Sequence, residues 1–188
     1  MINRDSAALV IIDLQKGIAG RETVPHDSKT VIGNSARLAE AFRRNNMPVF
    51  LVHVVSSDED RLSPMADEQM FARPQQMPKD WSDFVPELKQ ADSDIVITKK
   101  QWGAFYGTDL ELQLRRRKIE TIVLCGIATN YGVESTARFA YEYGFQQIFV
   151  EDAIASMSKE MHDASVNYVL KRIGRVRKTE DIVEDLKS

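Results

Sequence analysis

The chain of 188 residues is poor in the side chains that bind metals or form disulfides, with one cysteine and three histidines. A single thiol cannot form an internal disulfide. His26, His53 and His162 lie far apart and match no His-x-x-x-His or Asp-x-His pattern, so no zinc or iron site is predicted. Glycine-rich phosphate-binding motifs are also missing. We therefore expect neither a metal nor a nucleotide cofactor.

Long apolar runs and an excess of positive charge are missing as well. The longest apolar runs, such as residues 7–12, are far shorter than the ~20 residues that cross a bilayer, so we expect no membrane segment. The start of the chain carries Asp5 where a signal peptide is basic, which predicts a cytoplasmic protein. The net charge of −3 and the pI near 5.7 argue against a nucleic-acid partner.

The sequence does contain short apolar runs that alternate with helical patterns. Runs rich in Val and Ile predict strands over residues 7–13, 48–55, 94–98, 121–126, 145–152 and 174–178. Several are almost continuously apolar, which is typical of parallel strands buried on both faces. Helices are predicted around residues 31–42, from a capping box at Thr108 and Glu111, and over 133–144, 159–173 and 179–186. The pattern predicts one α/β domain over residues 1–188.

The connection over residues 56–93 breaks this alternation. It is polar, contains four prolines, and carries scattered apolar side chains: Met65, Met70, Phe71, Met77, Trp81 and Phe84. Connections this long are uncommon inside a compact domain and are usually functional or disordered. We expect the segment to pack over a site or against a partner subunit.

Polar features follow three of the predicted strands, at the edge of the sheet where open α/β folds bind ligands. They are Asp13, the pair Lys99 and Lys100, and the turn "GIATNYG" over residues 126–132. Together they would supply an acid or base, an anion anchor and a row of backbone N–H groups at a helix start. Two alternatives remain: Asp13 caps the turn that follows it, and the lysines are solvated.

Cys125 lies inside the predicted strand 121–126. A reactive thiolate needs solvent access and a base, a cation or a helix N-terminus beside it. The sequence therefore favours a buried structural cysteine. His53, within "FLVHVV", is interpreted as a hydrogen-bonded residue near a strand end.

Three motifs in order along the chain resemble the isochorismatase-like hydrolase superfamily, in particular a bacterial branch of uncharacterised members. They are "ALVIIDLQKGI" near the N-terminus, a central stretch that runs from "ITKKQWGAFYGTDL" through "TIVLCGIATNYGVESTARFAYEYGF" to Ser156, and a short C-terminal strand. The superfamily includes isochorismatases, nicotinamidases and N-carbamoyl amide hydrolases. The resemblance implies a three-layer α/β/α fold with a six-stranded parallel sheet of order 3-2-1-4-5-6. Strands 1 and 4 would then be neighbours, and Asp13 would face the 126–132 turn.

The resemblance also implies roles for individual residues. The Asp and Lys of the amidohydrolase members map to Asp13 and Lys99, and their nucleophilic cysteine maps to Gly132. Isochorismatases resemble this chain in having glycine at that position, and they cleave a vinyl ether without a covalent intermediate. The resemblance therefore implies a cysteine-independent hydrolase in which Asp13, as general acid and base, cleaves a small anionic substrate such as an enolpyruvyl ether. Lys99 would orient Asp13 or hold a substrate carboxylate.

Substrate binding would fall to the turn and to nearby aromatic rings. The resemblance implies that backbone N–H groups around Ala128, Thr129 and Gly132 bind a substrate oxygen, and that the peptide bond before Ala128 is often cis. Apolar walls would come from Trp102, Phe105 and Tyr131, for which core packing is the alternative.

Two other functions remain open at this point. One is a non-catalytic small-molecule-binding protein on a hydrolase scaffold, and the other is an amidohydrolase that uses Cys125, which would require the turn to rearrange. The metal-binding Asp and His residues of nicotinamidases are absent from the sequence. The resemblance implies a small-molecule substrate and a homo-oligomer, a dimer or a tetramer.

Overall fold

The fold is built on a six-stranded parallel sheet. The computed structural model describes residues 1–55, 64–68 and 77–187. The strands are β1 (Ala7–Ile12), β2 (Val49–Val54), β3 (Ile95–Lys99), β4 (Thr121–Ile127), β5 (Gln146–Ala155) and β6 (Arg175–Arg177). Their order is β3-β2-β1-β4-β5-β6, and every neighbouring pair is parallel. The predicted fold class and strand order are confirmed.

Helices flank the sheet and bury its central strand completely. They are α1 (Lys16–Ala19), α2 (Ser28–Arg44), α3 (Leu110–Arg116), α4 (Glu134–Glu142), α5 (Lys159–Ala164), α6 (Lys171–Ile173) and α7 (Thr179–Asp185). Wide helical turns, Thr129–Val133 and Ser165–Leu170, lead into α4 and join α5 to α6. Every residue of β1 is buried, and since successive side chains point to opposite faces, both faces of the sheet are covered. No helix in the described ranges is long and apolar enough to cross a membrane.

The start of α3 differs from the predicted capping box at Thr108 and Glu111. The residue that precedes the helix is Asp109, whose side chain makes no capping hydrogen bond, and the Thr108 hydroxyl accepts from the Leu110 N–H at 3.2 Å rather than from the Glu111 N–H. The Glu111 carboxylate lies 3.5 Å from the Arg115 guanidinium, one turn further along. The capping box is therefore not formed, and this prediction is wrong.

Gly126 allows β4 to lie beside the end of β1. It is paired with Ile12 and has a φ of +123°, a conformation that other residues rarely adopt. A Cβ at this position would lie 2.0 Å from the Ile12 carbonyl oxygen. The turn that follows β4 is therefore brought directly against the residue after β1.

Strand β5 extends three residues beyond its predicted end because it contains a bulge. Leu124 of β4 pairs with Phe149, but Gly126 pairs with Ile154, so the four residues 150–153 of β5 lie opposite the single residue Cys125 of β4. The bulge includes Asp152, whose carboxylate accepts hydrogen bonds from the N–H and hydroxyl of Thr179 at 2.8 Å and so anchors the start of α7. The acidic pair at 151 and 152 marks this bulge rather than the end of the strand.

The described part of the long polar connection packs against the segment after β1. The Lys16 N–H donates to the Asp83 carbonyl and the Gly17 N–H to the Trp81 carbonyl, each at 2.9 Å. The Trp81 indole fills the space that a side chain on Gly17 would occupy. Residues 77–93 thus lie beside the sheet edge that holds Asp13, whereas Met70 and Phe71 lie outside the described residues.

Candidate active site

Asp13 is the first residue after β1, and its backbone has a φ of 54°. Its N–H donates to the Val52 carbonyl of β2 at 2.9 Å, which fixes it at the sheet edge. The side chain is only 7% exposed. Since no N–H of the following turn bonds to the carboxylate, the alternative of a turn-capping role is wrong.

Lys99 ends β3 and reaches across β2 to the Asp13 carboxylate. Its side chain is 2% exposed, so the interpretation of a solvated lysine is wrong for Lys99, while Lys100 lies on the surface. The ammonium donates to Asp13 Oδ2 at 2.7 Å, to the Gln101 carbonyl at 3.1 Å and to the Trp102 carbonyl at 2.7 Å. An ammonium has three protons to donate, so each has an acceptor within the protein.

The second carboxylate oxygen of Asp13, Oδ1, is buried and has no hydrogen-bond partner among the residues that the structure describes. Burial raises the pKa of Asp13, and the nearby Lys99 ammonium opposes that shift. A carboxyl group that is easier to protonate, and that has one oxygen not engaged by the protein, is suited to general acid catalysis.

Gly132 faces the Asp13–Lys99 pair. A Cβ on Gly132 would lie 3.0 Å from Asp13 Oδ2 and 2.9 Å from Ile12 Cγ2. The Ile127–Ala128 peptide bond is cis, as the resemblance implied. The helix starts with a wide turn in which the Val133 N–H donates to the Ala128 carbonyl at 3.2 Å. The prediction that Asp13 faces the 126–132 turn is confirmed.

The three aromatic residues expected to line the site have different environments. Trp102 and Tyr131 form an edge-to-face pair with ring centroids 5.1 Å apart, and Trp102 is 51% exposed. Phe105 is buried and packs against Tyr143 and Phe145. The structure thus brings Trp102 and Tyr131 together beside Lys99, and core packing describes Phe105.

The environment of Cys125 does not activate its thiol. It pairs with Ile11 in the middle of the sheet, it is fully buried, and its Sγ accepts from the Ser35 hydroxyl at 3.4 Å. Burial raises the pKa of its thiol to about 12. At neutral pH the side chain is therefore a thiol, which is a poor nucleophile.

Gln15 hydrogen-bonds to the backbone on either side of the site, and the sequence did not predict this role. Its fully buried amide accepts from the Val54 N–H at 2.8 Å and donates to the carbonyls of Val54 and Trp81 at 3.1 and 3.2 Å. His53 is hydrogen-bonded near the end of β2, as predicted, with its ring nitrogens 2.8 Å from the Ser82 carbonyl and 2.9 Å from the Thr98 hydroxyl. Both contacts tie the segment after residue 80 to the strand ends.

Thr129, expected to help bind substrate, directs its hydroxyl towards His162, 2.9 Å from Nδ1. His162 in turn lies near Glu151 of the β5 bulge and near His26. No sequence signal predicted this meeting, because the residues come from four separate segments.

Clefts on the surface of the described residues include two whose linings share residues with the surroundings of the site. One of about 410 Å³ is lined by residues that include Glu151, His162 and Lys178. The other, of about 380 Å³, is lined by residues that include His53 and Phe84. The buried Asp13–Lys99 pair is a stronger indication of where the site lies than the volume or the lining of either cleft. Among the residues that the structure describes, no group of three or more His, Cys, Asp or Glu side chains is arranged to hold a metal ion.

An α/β/α fold with an Asp–Lys pair facing the turn after the fourth strand defines a class of hydrolase scaffold, and comparison with known proteins identifies the family. The model of the isochorismatase domain matches residues 7–181. An uncharacterised isochorismatase family protein of Bacillus subtilis, YwoC, is 50% identical over 99% of this chain and 97% of its own. The chain belongs to the isochorismatase family.

Solved structures show the same fold in relatives of differing chemistry. An isochorismatase family protein from Burkholderia thailandensis superimposes with a TM-score of 0.93 at 41% identity, over 100% of this chain and 98% of that one. The N-carbamoylsarcosine amidase of Thermoplasma acidophilum superimposes with a TM-score of 0.77 at 28% identity, over 93% and 97% of the two chains. The protein is thus a hydrolase of the isochorismatase-like family.

Proposed function

We propose that the protein is a cysteine-independent hydrolase of isochorismatase type that cleaves a small anionic enolpyruvyl ether with water. The observation that carries the proposal is the Asp13 carboxyl group, which is held through Oδ2 by Lys99 while Oδ1 is buried with no partner in the described part of the chain. Because burial raises the pKa of Asp13, the acid form needed to start the reaction is favoured.

In the proposed reaction Asp13 first donates its proton to the methylene carbon of the enolpyruvyl group. The ether carbon becomes an oxocarbenium ion, and a water molecule adds to it while the Asp13 carboxylate takes up the proton that the water loses. The resulting hemiketal then breaks its bond to the ether oxygen and releases pyruvate and an alcohol. Atoms balance with one water consumed, and no covalent bond to the protein forms.

Lys99 would act by orienting Asp13, since all three of its donors already have acceptors in the protein. A substrate oxygen would be bound by backbone N–H groups at the helix start around Ala128 and Gly132, where the first N–H groups of a helix have no intrahelical acceptor. Trp102 and Tyr131 would form an apolar wall.

The experiment is an assay of pyruvate release from isochorismate and related enolpyruvyl ethers. We expect Asp13→Asn to lower kcat by ~10²–10⁴-fold, the usual contribution of a general acid or base. Asp109→Asn, which changes an exposed carboxylate at the start of α3, is the matched control and should have no effect. If the wild type releases no pyruvate, or if Asp13→Asn keeps the full rate, the proposal is wrong. Thermal stabilisation by the ethers without turnover would instead favour the binding-protein alternative.

The amidohydrolase alternative is disfavoured by the thiol of Cys125, whose burial and high pKa leave no thiolate at neutral pH. A cytoplasmic location and a homo-oligomeric state, a dimer or a tetramer, are further proposals. Light scattering on the eluting peak of a size-exclusion column would test the oligomeric state.

A further inference from the structure

Two histidines from distant parts of the chain meet at one carboxylate of the β5 bulge. Glu151 Oε1 lies 3.1 Å from His26 Nε2 and 3.6 Å from His162 Nε2, and Oε2 accepts from the Lys178 ammonium. The second ring nitrogen of His162, Nδ1, lies 2.9 Å from Thr129 Oγ1. A row of polar groups therefore connects the bulge to the first residue of the helical turn after β4.

The end of this row nearest the candidate site is buried. Thr129 has no exposed surface and His162 is 1% exposed. Each side chain has to satisfy its hydrogen-bonding groups within the protein, since an unpaired buried polar group is costly. The Thr129–His162 bond thus fixes the side chain of the first residue of the helical turn that contains Gly132.

The charges around Glu151 determine which nitrogen of His162 carries the proton. Burial alone would raise the pKa of Glu151, but hydrogen bonds from Lys178 and His26 hold it below its usual value, so the group is a carboxylate. A carboxylate only accepts, which favours a proton on His162 Nε2. The lone pair of Nδ1 is then left to accept the Thr129 hydroxyl proton. Burial lowers the pKa of His162, against the opposing effects of Glu151 and Asp163, and so favours the neutral ring that this arrangement requires.

We propose that His162 is a positioning residue for the active site. By accepting the hydrogen bond of Thr129 it holds the helical turn that contains Gly132, and with it the backbone N–H groups of that turn, in its position opposite Asp13. Glu151 and His26 act behind it by fixing the ring. The inference rests on the proposed function, because it assigns those N–H groups to the stabilisation of a substrate oxygen.

A hydroxyl, an imidazole and a carboxylate in this order also activate nucleophiles in other hydrolases. The burial of Thr129 argues against that role here, since a nucleophile has to reach the substrate. The nucleophile reading predicts that Thr129→Val abolishes turnover entirely and that a covalent adduct on Thr129 is visible by mass spectrometry. A positioning role predicts a partial loss and no adduct.

Two substitutions of His162 separate the contacts of the ring. Asparagine places its amide near the position of Nδ1 and can keep the bond to Thr129, whereas glutamine extends towards the position of Nε2 and Glu151. We expect His162→Gln to lower kcat for pyruvate release by ~10-fold or more with KM little changed, since a misdirected oxyanion donor costs mainly transition-state stabilisation. His162→Asn should stay within ~3-fold of wild type. Equal midpoints of thermal unfolding for the two variants would exclude a general loss of structure as the cause.

Thr129→Val removes the same hydrogen bond from the other side while keeping the branched shape. It should lower kcat as His162→Gln does, whereas Thr129→Ser keeps the hydroxyl and should retain activity. The double variant Thr129→Val/His162→Gln should be no slower than either single variant, because both substitutions remove the same interaction. Additive losses in this cycle, or a His162→Asn variant as slow as His162→Gln, would overturn the proposal.

The backbone amide resonances of Thr129 and Asn130 provide a readout that needs no substrate. They should move in His162→Gln and remain near their wild-type positions in His162→Asn. If these resonances respond as expected while Asp13→Asn retains full activity, the proposed function fails but the control of the turn by His162 stands. If Asp13→Asn is inactive and His162→Gln has wild-type kinetics and resonances, only the positioning role fails.

Discussion

Lys99 is hydrogen-bonded to Asp13 through a single carboxylate oxygen, with Nζ 2.7 Å from Oδ2, while Oδ1 has no partner within residues 1–55, 64–68 and 77–187. The other two protons of the ammonium are directed to the carbonyls of Gln101 and Trp102. The lysine is therefore fully occupied in fixing the carboxyl group, and one carboxyl oxygen remains available for chemistry. This asymmetry favours an orienting role for Lys99 over the binding of a substrate carboxylate.

Removal of one partner of this pair should destabilise the fold. Asp13→Asn leaves the buried Lys99 charge without its counter-ion, and breaking a buried pair in this way costs about 3–5 kcal/mol. Replacing both partners, in Asp13→Asn/Lys99→Met, removes the uncompensated charge and should recover part of that loss without restoring turnover. Urea unfolding followed by tryptophan fluorescence measures both free energies, and a double variant no more stable than Asp13→Asn would contradict the prediction.

The pH dependence of turnover should reflect the raised pKa of Asp13. The general acid is active when protonated, so kcat/KM should fall as the pH rises through the Asp13 pKa. The Lys99 ammonium lowers the pKa of Asp13. In the residual activity of Lys99→Met, the fall of kcat/KM should therefore occur at higher pH than in the wild type. A limb that stays in place or moves to lower pH in Lys99→Met would show that another group titrates.

Cys125 should be dispensable for catalysis. Cys125→Ala should keep kcat/KM within ~2-fold and lower the free energy of unfolding by ~1 kcal/mol, the cost of removing a small buried group. With a pKa of about 12 and full burial, the thiol should also resist iodoacetamide in the native protein. A large loss of turnover in Cys125→Ala with an unchanged unfolding midpoint would restore the thiol mechanism.

A side chain at position 132 should disturb the Asp13–Lys99 pair. In Gly132→Ala the new Cβ would lie 3.0 Å from Asp13 Oδ2 and 2.9 Å from Ile12 Cγ2, so either the carboxyl group or the helix has to move. We expect kcat to fall by ~10-fold or more, since small displacements of catalytic groups are costly. Gly33→Ala in α2, where a Cβ meets no atom within 4 Å, is the matched control and should add ~0.5–1 kcal/mol of stability without changing kcat. Equal kinetics for the two variants would remove Gly132 from the site.

The sequence sufficed to predict the sheet and the Asp13–Lys99 pair for clear physical reasons. Strands buried on both faces are almost continuously apolar, so β1 and β4 stand out as Val- and Ile-rich runs. Polar residues that end such runs meet at one edge of a parallel sheet, which is why a carboxylate and an ammonium separated by more than eighty residues could be expected together.

The sequence did not predict the bulge in β5 or the contacts that it makes. Glu151 and Asp152 have the polarity of a strand end, and only the pairing with β4 shows that the strand continues to Ala155. The meeting of His26 with His162 depends on where the bulge places Glu151, and it leaves no periodic or local pattern. Gln15 was missed for a similar reason, since its partners are backbone groups of β2 and of the segment near Trp81.

The bulge also has a consequence for how the chain folds during synthesis. Helix α2 emerges from the ribosome early, yet Asn34 bonds to the Asp152 carbonyl and Arg37 pairs with Glu180. At ~5–20 residues per second these partners arrive on the order of 10 s later. During that interval the side of α2 that packs against β5 and α7 is exposed, so we expect fragments that end before β5 to aggregate more readily than the full chain, as their sedimentation after translation would show.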